Sequence, residues 1–502
     1  MGLDLFAKLR RHAADHGDEA AVRVIGPLAD THAPLSWSAL WRQVQTVAAR
    51  LDATLPPEAS RAKADRSHNA TVMTISRNRP AGVPMFLGVL YAGQTVFPVD
   101  AALTTVELKQ LIERASVDLV VADDSVKPRL TDVSIPVISL DDFVSPRDDE
   151  DSRDPSADRS DDAWLLLQSS GTTGGPKIVK RSGPSLDAVA RNVADAVGLR
   201  PDDRVVASVP LSHSYGIENG MLSPIVAGAC ALHHVAEDHQ PGRGFDPTLA
   251  VTSGATVLPG VPAMFEMIDR MQAGRGAIRV AYSAGATLPP ELAQRLERRD
   301  GLRLGQLYGS TEIGSVTFGL TPGNVGQPMQ GVDILILDPN HPDPALPLPD
   351  GEEGHVAVRS PSMFDRYLGP DELTDDSLVG GYFLTGDLGR CSAGGALHIT
   401  GRLKLLIDVG GVKVNPIEVE QVLAEHPQVD ECVVVPDPVS PTINRVKAVI
   451  TAANGHVDDG VLRKFLRQRL AAHKIPRTFE VRADLPKSPT GKVLRQKMRV
   501  SA

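Results

Sequence analysis

The sequence predicts an α/β protein of layered sheets and helices, and three features carry that expectation. The first is alternation. "TVMTIS", "DLVVAD" and "IPVISL" are short apolar runs of strand length, and segments with helical apolar spacing lie between them. Such alternation favours parallel pairing, with helices layered on the sheets. The second is a change of texture from about residue 322, where "DILILD", "HVAVRS" and "ALHITG" stand between Gly/Pro turns. The third is charge. From Leu403 onward 16 Lys/Arg against 11 Asp/Glu give +5, so the total of −10 leaves −15 on residues 1–402. A basic C-terminal part beside an acidic body suits phosphate-rich ligands or simple electrostatic docking of the two.

Taken in order, "LSWSALWRQVQTVAARLDATL" (35–55) has the apolar spacing of a helix. Residues 145–162, "SPRDDEDSRDPSADRSDD", are charged and lack aromatics, so they read as a solvated linker. "AWLLLQ" follows as a buried strand. "LRKFLRQRLAAHKIPR" (462–477) reads as a basic helix.

The bulk numbers narrow the function. A chain of 502 residues, 42% apolar and 23% charged, can bury a substantial core. Its acidic balance argues against non-specific nucleic-acid binding. The cysteines, Cys230, Cys391 and Cys432, have no CxxC spacing and read as reduced thiols. The cluster "HHVAEDHQ", with His233, His234 and His239, has no accompanying Cys and no i, i+4 pair, so no zinc site is expected. The N-terminus lacks a signal-peptide core, Phe6 stands where a myristoylation motif needs Ser or Thr, and no run of about eighteen apolar residues spans a membrane. A cytoplasmic protein is expected.

"LLLQSSGTTGGPKIVKRS" (165–182) is the stretch that carries chemistry. It is not a Walker A loop. Pro176 has no N–H for a phosphate, and Ile178 has no hydroxyl for magnesium. What remains is "SSGTTGGPK", four hydroxyls, three glycines and a lysine, able to wrap an anion with side-chain hydroxyls and free N–H groups.

This loop resembles the phosphate-binding signature of the adenylate-forming superfamily, which includes acyl-CoA synthetases, peptide-synthetase adenylation domains and luciferases. Further signatures follow in the family's order. They are "VPLSHSYG" (209–216), "YSAGATLPPEL" (282–292), "LYGSTEIGS" (307–315), "VGQPMQGVDILILD" (325–338), "YFLTGDLGR" (382–390), "GRLKLLIDVGGVKVNPIEVE" (401–420) and "LPKSPTGKVLRQKM" (485–498). The resemblance covers nearly the whole chain. It implies an N-terminal ATP- and acid-binding domain over 1–402 and a small mobile α+β C-terminal domain over 403–502.

The implied reaction joins a carboxylic acid to ATP as an acyl-adenylate and then to a thiol. Ser169, Ser170, Gly171, Thr172, Thr173, Gly174 and Lys177 would grip the phosphates. Gly285, Ala286 and Gly309 would border the nucleotide, and Tyr308 would stack on adenine. Thr311 would bind the α-phosphate, while Glu312 would carry Mg²⁺. Asp387 and Arg402 would reach the ribose. Lys492 would be the catalytic cation of adenylation and Lys404 the hinge. Gly410 and Gly411 would let the backbone pass a pantetheine arm. His213, Tyr215 and Gly305 would line the acid pocket. Amino-acid-activating relatives place an acidic residue near position 213. "LSHSYGIEN" has no Asp there, and Glu218 could serve only through a register slip. A non-amino acyl or aryl acid is therefore expected. Coenzyme A is the expected acceptor, with a carrier-protein phosphopantetheine or another nucleophile as the alternative, and a non-catalytic nucleotide-binding relative as a rival of another class. Departures from the family pattern at Leu405 and in residues 437–450 bear on the acceptor more than on adenylation.

Overall fold

A computed structural model describes residues 3–55, 69–145, 158–169, 177–235, 246, 248–285, 288, 290–339, 341–403, 407–410, 412–414, 416–439, 444–452, 457–485 and 498. Two large sheets dominate it. In the nine-stranded sheet, Ala20–Ile25, Cys230–His234, Arg204–Ala207, Val257–Gly260, Val280–Ser283 and Leu304–Ser310 run parallel. Antiparallel strands close both edges: Leu35–Ser36 on one side, Gly314–Gly319 and Gln327–Pro328 on the other. In the seven-stranded sheet, Trp164–Ser169, Thr95–Val99, Thr71–Ile75, Leu119–Ala122 and Val137–Ser139 are parallel. Lys177–Ser182 and Arg366–Tyr367 extend it antiparallel.

The expected helix is Trp37–Thr54. Ser36 caps it by accepting from the Ala39 N–H, and Leu40, Val44, Val47 and Leu51 form its buried stripe. Helices Gly82–Tyr91 and Gly183–Val197 join it in one core with both parallel sheets. Thr105–Arg114 opens with a full capping box: Thr104 accepts from the Glu107 N–H while the Glu107 carboxylate accepts from the Thr104 N–H.

The later texture is a third sheet. Asp333–Leu337, Gly354–Arg359, Tyr382–Cys391 and Leu378–Val379 lie in order, and Leu397–Arg402 also pairs with Tyr382–Cys391, all antiparallel. Beyond it stand the hairpin Ile407–Val409/Val412–Val414 and a small sheet of Glu431–Pro438, Asn444–Thr451 and Thr478–Val481. Helices Pro416–Ala424 and Asp459–Arg467 share a core with these strands.

The expected basic helix over 462–477 is shorter than the sequence suggested. It ends at Arg467. The chain then turns so that Ala471 joins the core around the Thr105–Arg114 helix. The Ala471 N–H donates to Glu107 at 3.2 Å. Lys474 bridges Glu107 at 3.1 Å and Glu418 at 2.8 Å. An interaction across the two parts outweighs the local helical preference.

Candidate active site

Open α/β sheets bind ligands at the carboxyl ends of their strands, and here the ends of one strand from each parallel sheet are linked. Asn78, after Thr71–Ile75, donates to the carbonyl of Ala207, the last residue of Arg204–Ala207, at 3.0 Å. Four buried hydroxyls, those of Ser169, Ser212, Ser283 and Ser310, have no hydrogen-bond partner among the described residues. Three of them end the strands Trp164–Ser169, Val280–Ser283 and Leu304–Ser310. Buried hydroxyls are nearly always paired, so such a group is a mark of polar ligand. These atoms fit the oxygen-rich phosphates of ATP.

The glycine-rich loop joins the antiparallel strands Trp164–Ser169 and Lys177–Ser182, whose ends pair Ser169 with Lys177. Ser170, Gly171, Thr172, Thr173 and Gly174 lie outside the described residues. Lys177 Nζ sits 4.0 Å above the Tyr367 ring. The Tyr367 hydroxyl donates to Glu312 Oε1 at 3.1 Å. Lys177 and Glu312 are thus brought together through an aromatic ring that the sequence reading did not single out. Burial, reinforced by the Glu312 carboxylate, raises the Tyr367 hydroxyl well above the ordinary phenol range, so it stays a donor.

Thr311 and Glu312 occupy the turn between Leu304–Ser310 and Gly314–Gly319. They form a hairpin tip and cap no helix. The Glu312 carbonyl accepts from the Phe364 N–H at 2.7 Å, which ties the tip to the segment carrying Tyr367. Tyr308 and Asp387, expected on the adenine and ribose, are partners: the hydroxyl donates to Asp387 Oδ2 at 2.7 Å, and both residues are buried. Arg402 pairs with Asp387 across adjacent strands.

The glycines divide. A Cβ on Gly285 (φ +82°) would meet none of the described residues within 4 Å. Gly305, expected at the acid pocket, and Gly309, expected beside the nucleotide, are closed in by backbone. A Cβ at Gly305 would lie 2.8 Å from the Gly319 carbonyl and 2.9 Å from Leu320, and one at Gly309 would lie 2.2 Å from the Gly314 carbonyl. Both are small because antiparallel backbone passes against them. Gly410 (φ +62°) begins the two-residue turn of its hairpin, a conformation that favours glycine.

His213 precedes the short helix Ser214–Ile217. Burial lowers its pKa, opposed by Asp100, so the imidazole is neutral at neutral pH. Tyr215 donates to the Gly260 carbonyl at 3.2 Å. Glu218 is buried, and its carboxylate meets Arg181 at 2.5 Å. It is committed to an ion pair and does not face a substrate ammonium. Ala286, Lys404, Gly411 and Lys492 lie outside the described residues, as does His239. His233 is fully buried, and burial pushes its pKa down to about 4. No metal-binding group of His, Cys, Asp or Glu occurs among the described residues, and their three cysteines are free thiols. No described helix is long and apolar enough to cross a membrane.

Comparison with known proteins agrees with this geometry. The family model of AMP-binding enzymes matches residues 9–368, and that of the AMP-binding enzyme C-terminal domain matches residues 418–492. A probable CoA ligase of Humulus lupulus, CCL9, is 29% identical over 98% of this chain and 95% of its own length. A feruloyl-CoA synthase of Amycolatopsis sp is 32% identical over 68% of this chain and 70% of its own. Among solved structures, the amide bond synthetase McbA of Marinactinospora thermotolerans is 26% identical, covers 99% of both chains and superposes with a TM-score of 0.82. The chain therefore belongs to the AMP-binding enzyme family, the adenylate-forming superfamily whose motifs it carries in order.

Proposed function

We propose that the protein is an AMP-forming acid–thiol ligase that activates a non-amino carboxylic acid and transfers the acyl group to coenzyme A. The observation that carries this reading is the approach of Lys177 and Glu312 through Tyr367, with the Ser169 and Ser310 hydroxyls, which have no partner among the described residues, at the ends of the adjoining strands. A cation, a carboxylate and free hydroxyls within one polar cradle suit a polyphosphate.

In the first step a carboxylate oxygen of the acid attacks the α-phosphorus of ATP. The bond to the bridging oxygen breaks, and pyrophosphate leaves. Two anions meet, so the site must neutralise charge and fix geometry. Lys177 and the loop hydroxyls hold the β- and γ-phosphates. Glu312 would hold Mg²⁺, which when bound neutralises phosphate oxygens. Tyr308 and Asp387 orient the nucleoside, and Thr311 reaches the α-phosphate. Lys492 acts as a point charge between carboxylate and α-phosphate. In the second step the thiol sulfur attacks the acyl carbonyl, AMP leaves and the thiol proton is released. Gly410 and Gly411 border the thiol's path once the C-terminal part, 403–502, has turned about Lys404.

The Arg181–Glu218 ion pair supports the non-amino substrate, because it removes the only acidic side chain of the 209–219 segment from ammonium binding. The likeness to an amide bond synthetase favours one second reading, an amine as acceptor of the same adenylate. Product analysis with ATP, Mg²⁺ and pooled carboxylic acids, with and without coenzyme A, tests both. Acid-dependent AMP and pyrophosphate with an acyl-CoA mass is the expected result. AMP and pyrophosphate without acyl-CoA points to a carrier-protein thiol or an amine. No acid-dependent turnover sinks the proposal.

A further inference from the structure

Arg181 and Glu218 do more than empty the pocket of negative charge. Among the described residues Arg181 is the largest charged side chain that is fully buried, at 0% exposure, and Glu218 is 1% exposed. Around this pair lie three of the segments that carry the chemistry. Arg181 stands on Lys177–Ser182, the strand that begins with the phosphate-side lysine. Its Nη1 donates to Glu218 Oε1 and, at 3.1 Å, to the hydroxyl of Ser214, the residue after His213. The Ser214 hydroxyl also donates to Glu218 Oε1 at 2.6 Å. The other carboxylate oxygen accepts from Ser315 twice, from the N–H at 2.9 Å and the hydroxyl at 2.6 Å. Ser315 belongs to the strand that follows the Glu312 turn.

Backbone packs closely on Arg181, whose Nε and Nη2 have no hydrogen-bond partner among the described residues. Gly314 has φ +71°, and a Cβ there would lie 3.0 Å from Arg181 Nη2. Asn219 extends the network: it donates to the Tyr215 carbonyl at 3.2 Å and accepts from the Tyr282 hydroxyl at 2.9 Å. A lone buried ion pair is weak evidence of stabilisation, since apolar residues of similar volume often serve as well. What apolar residues cannot do is accept hydrogen bonds from two strands and a short helix at once.

We infer that the Arg181–Glu218 pair is a positioning element for adenylation, holding the Lys177 strand, the His213 segment and the Glu312 turn in one register. It touches no substrate. Its effect reaches the reaction through the placement of Lys177, His213 and Glu312, where displacements of an ångström or less cost rate. The inference rests on the acyl-adenylate reading. Acid-dependent ATP–pyrophosphate exchange by the parent enzyme reports on that reading, and the variant-to-parent ratio reports on the pair.

The test uses the full chain, the active acid from the product assay, and two variants. Arg181→Met with Glu218→Leu removes both charges and keeps the volume. Glu218→Gln keeps the shape and one acceptor oxygen but turns an amide N–H₂ toward Arg181 or Ser315. The double variant leaves the Ser214 hydroxyl and the Ser315 N–H and hydroxyl without their acceptor and is expected to lower the unfolding midpoint, while the exchange kcat of its folded fraction falls about 10- to 100-fold, with KM for Mg·ATP within about threefold. Glu218→Gln should fall between the two. A purely structural pair would move the unfolding midpoint and leave kcat of the folded fraction unchanged. Parent-like kcat in either variant overturns the inference, and because Glu218→Gln is nearly isosteric, the conclusion does not depend on the double variant folding.

Discussion

Tyr367 offers the sharpest test of the site, because one ring serves two partners. Its face lies under Lys177 Nζ at 4.0 Å and its hydroxyl holds Glu312 Oε1 at 3.1 Å. Tyr367→Phe removes only the hydroxyl. A hydrogen bond to a carboxylate is worth about 1.5–3 kcal/mol when solvent is excluded. Glu312 is only half-buried, so water replaces part of it and about 1–2 kcal/mol remains at stake. If that energy fixes the Glu312 carboxylate where it receives Mg²⁺, the adenylation kcat/KM falls about 5- to 30-fold. Tyr367→Leu also removes the cation–π contact, costing about 0.5–2 kcal/mol more. The assay is acid-dependent ATP–pyrophosphate exchange across a magnesium titration. Tyr367→Phe should need more Mg²⁺, and Tyr367→Leu should in addition weaken ATP binding. A Tyr367→Phe variant with the parent's exchange rate and magnesium dependence would refute the reasoning, since the hydroxyl would then be irrelevant to where Glu312 sits.

Other expectations follow from single features. Lys492→Ala should abolish adenylation but spare thioester formation from a supplied acyl-adenylate, and equal loss of both half-reactions would contradict a role confined to the first. Lys474→Met leaves Glu107 and Glu418 facing each other with no cation between them. It should cost about 3 kcal/mol, read as a lower denaturant midpoint, with Lys474→Arg retaining most of the stability. His233 and His473 are each held neutral by burial to about pH 4, against an ordinary value of 6.5. Between those values the unfolded chain binds more protons than the folded one, so stability is full above pH 6.5 and declines toward pH 4. Burial lowers the pKa of His12, His213 and His234 as well, so thermal melts of His233→Gln should show a shallower slope, and an unchanged slope would mean that the ring is not buried neutral.

Much of this protein was legible in order along the chain. The alternation in the first half became two mainly parallel sheets, because runs such as "TVMTI" and "LVVA" can be satisfied only by burial on both faces. Lys177, Glu312 and Asp387 could be named because their chemistry is written in short contiguous motifs. Tyr367 could not. Its neighbours, "FDRYLG", carry no period or spacing, and it reaches the site only because Arg366–Tyr367 pairs with the Lys177 strand. Small residues divide in a way the sequence does not show: a Cβ at Gly285 would meet none of the described residues within 4 Å, whereas Gly305 and Gly309 face backbone, and nothing local distinguishes them.

Sequence by itself determined the fold class, the family's motifs and the chemical types gathered for the reaction, since propensity, periodicity and motif spacing are local properties. The tertiary structure decided who touches whom. It made partners of Tyr308 and Asp387, ended the basic helix at Arg467 so that Lys474 could bridge Glu107 and Glu418, and buried Glu218 against Arg181. A buried charge must find its counter-charge wherever the fold brings one within reach, and that distance is set by the packing of segments far apart in the chain.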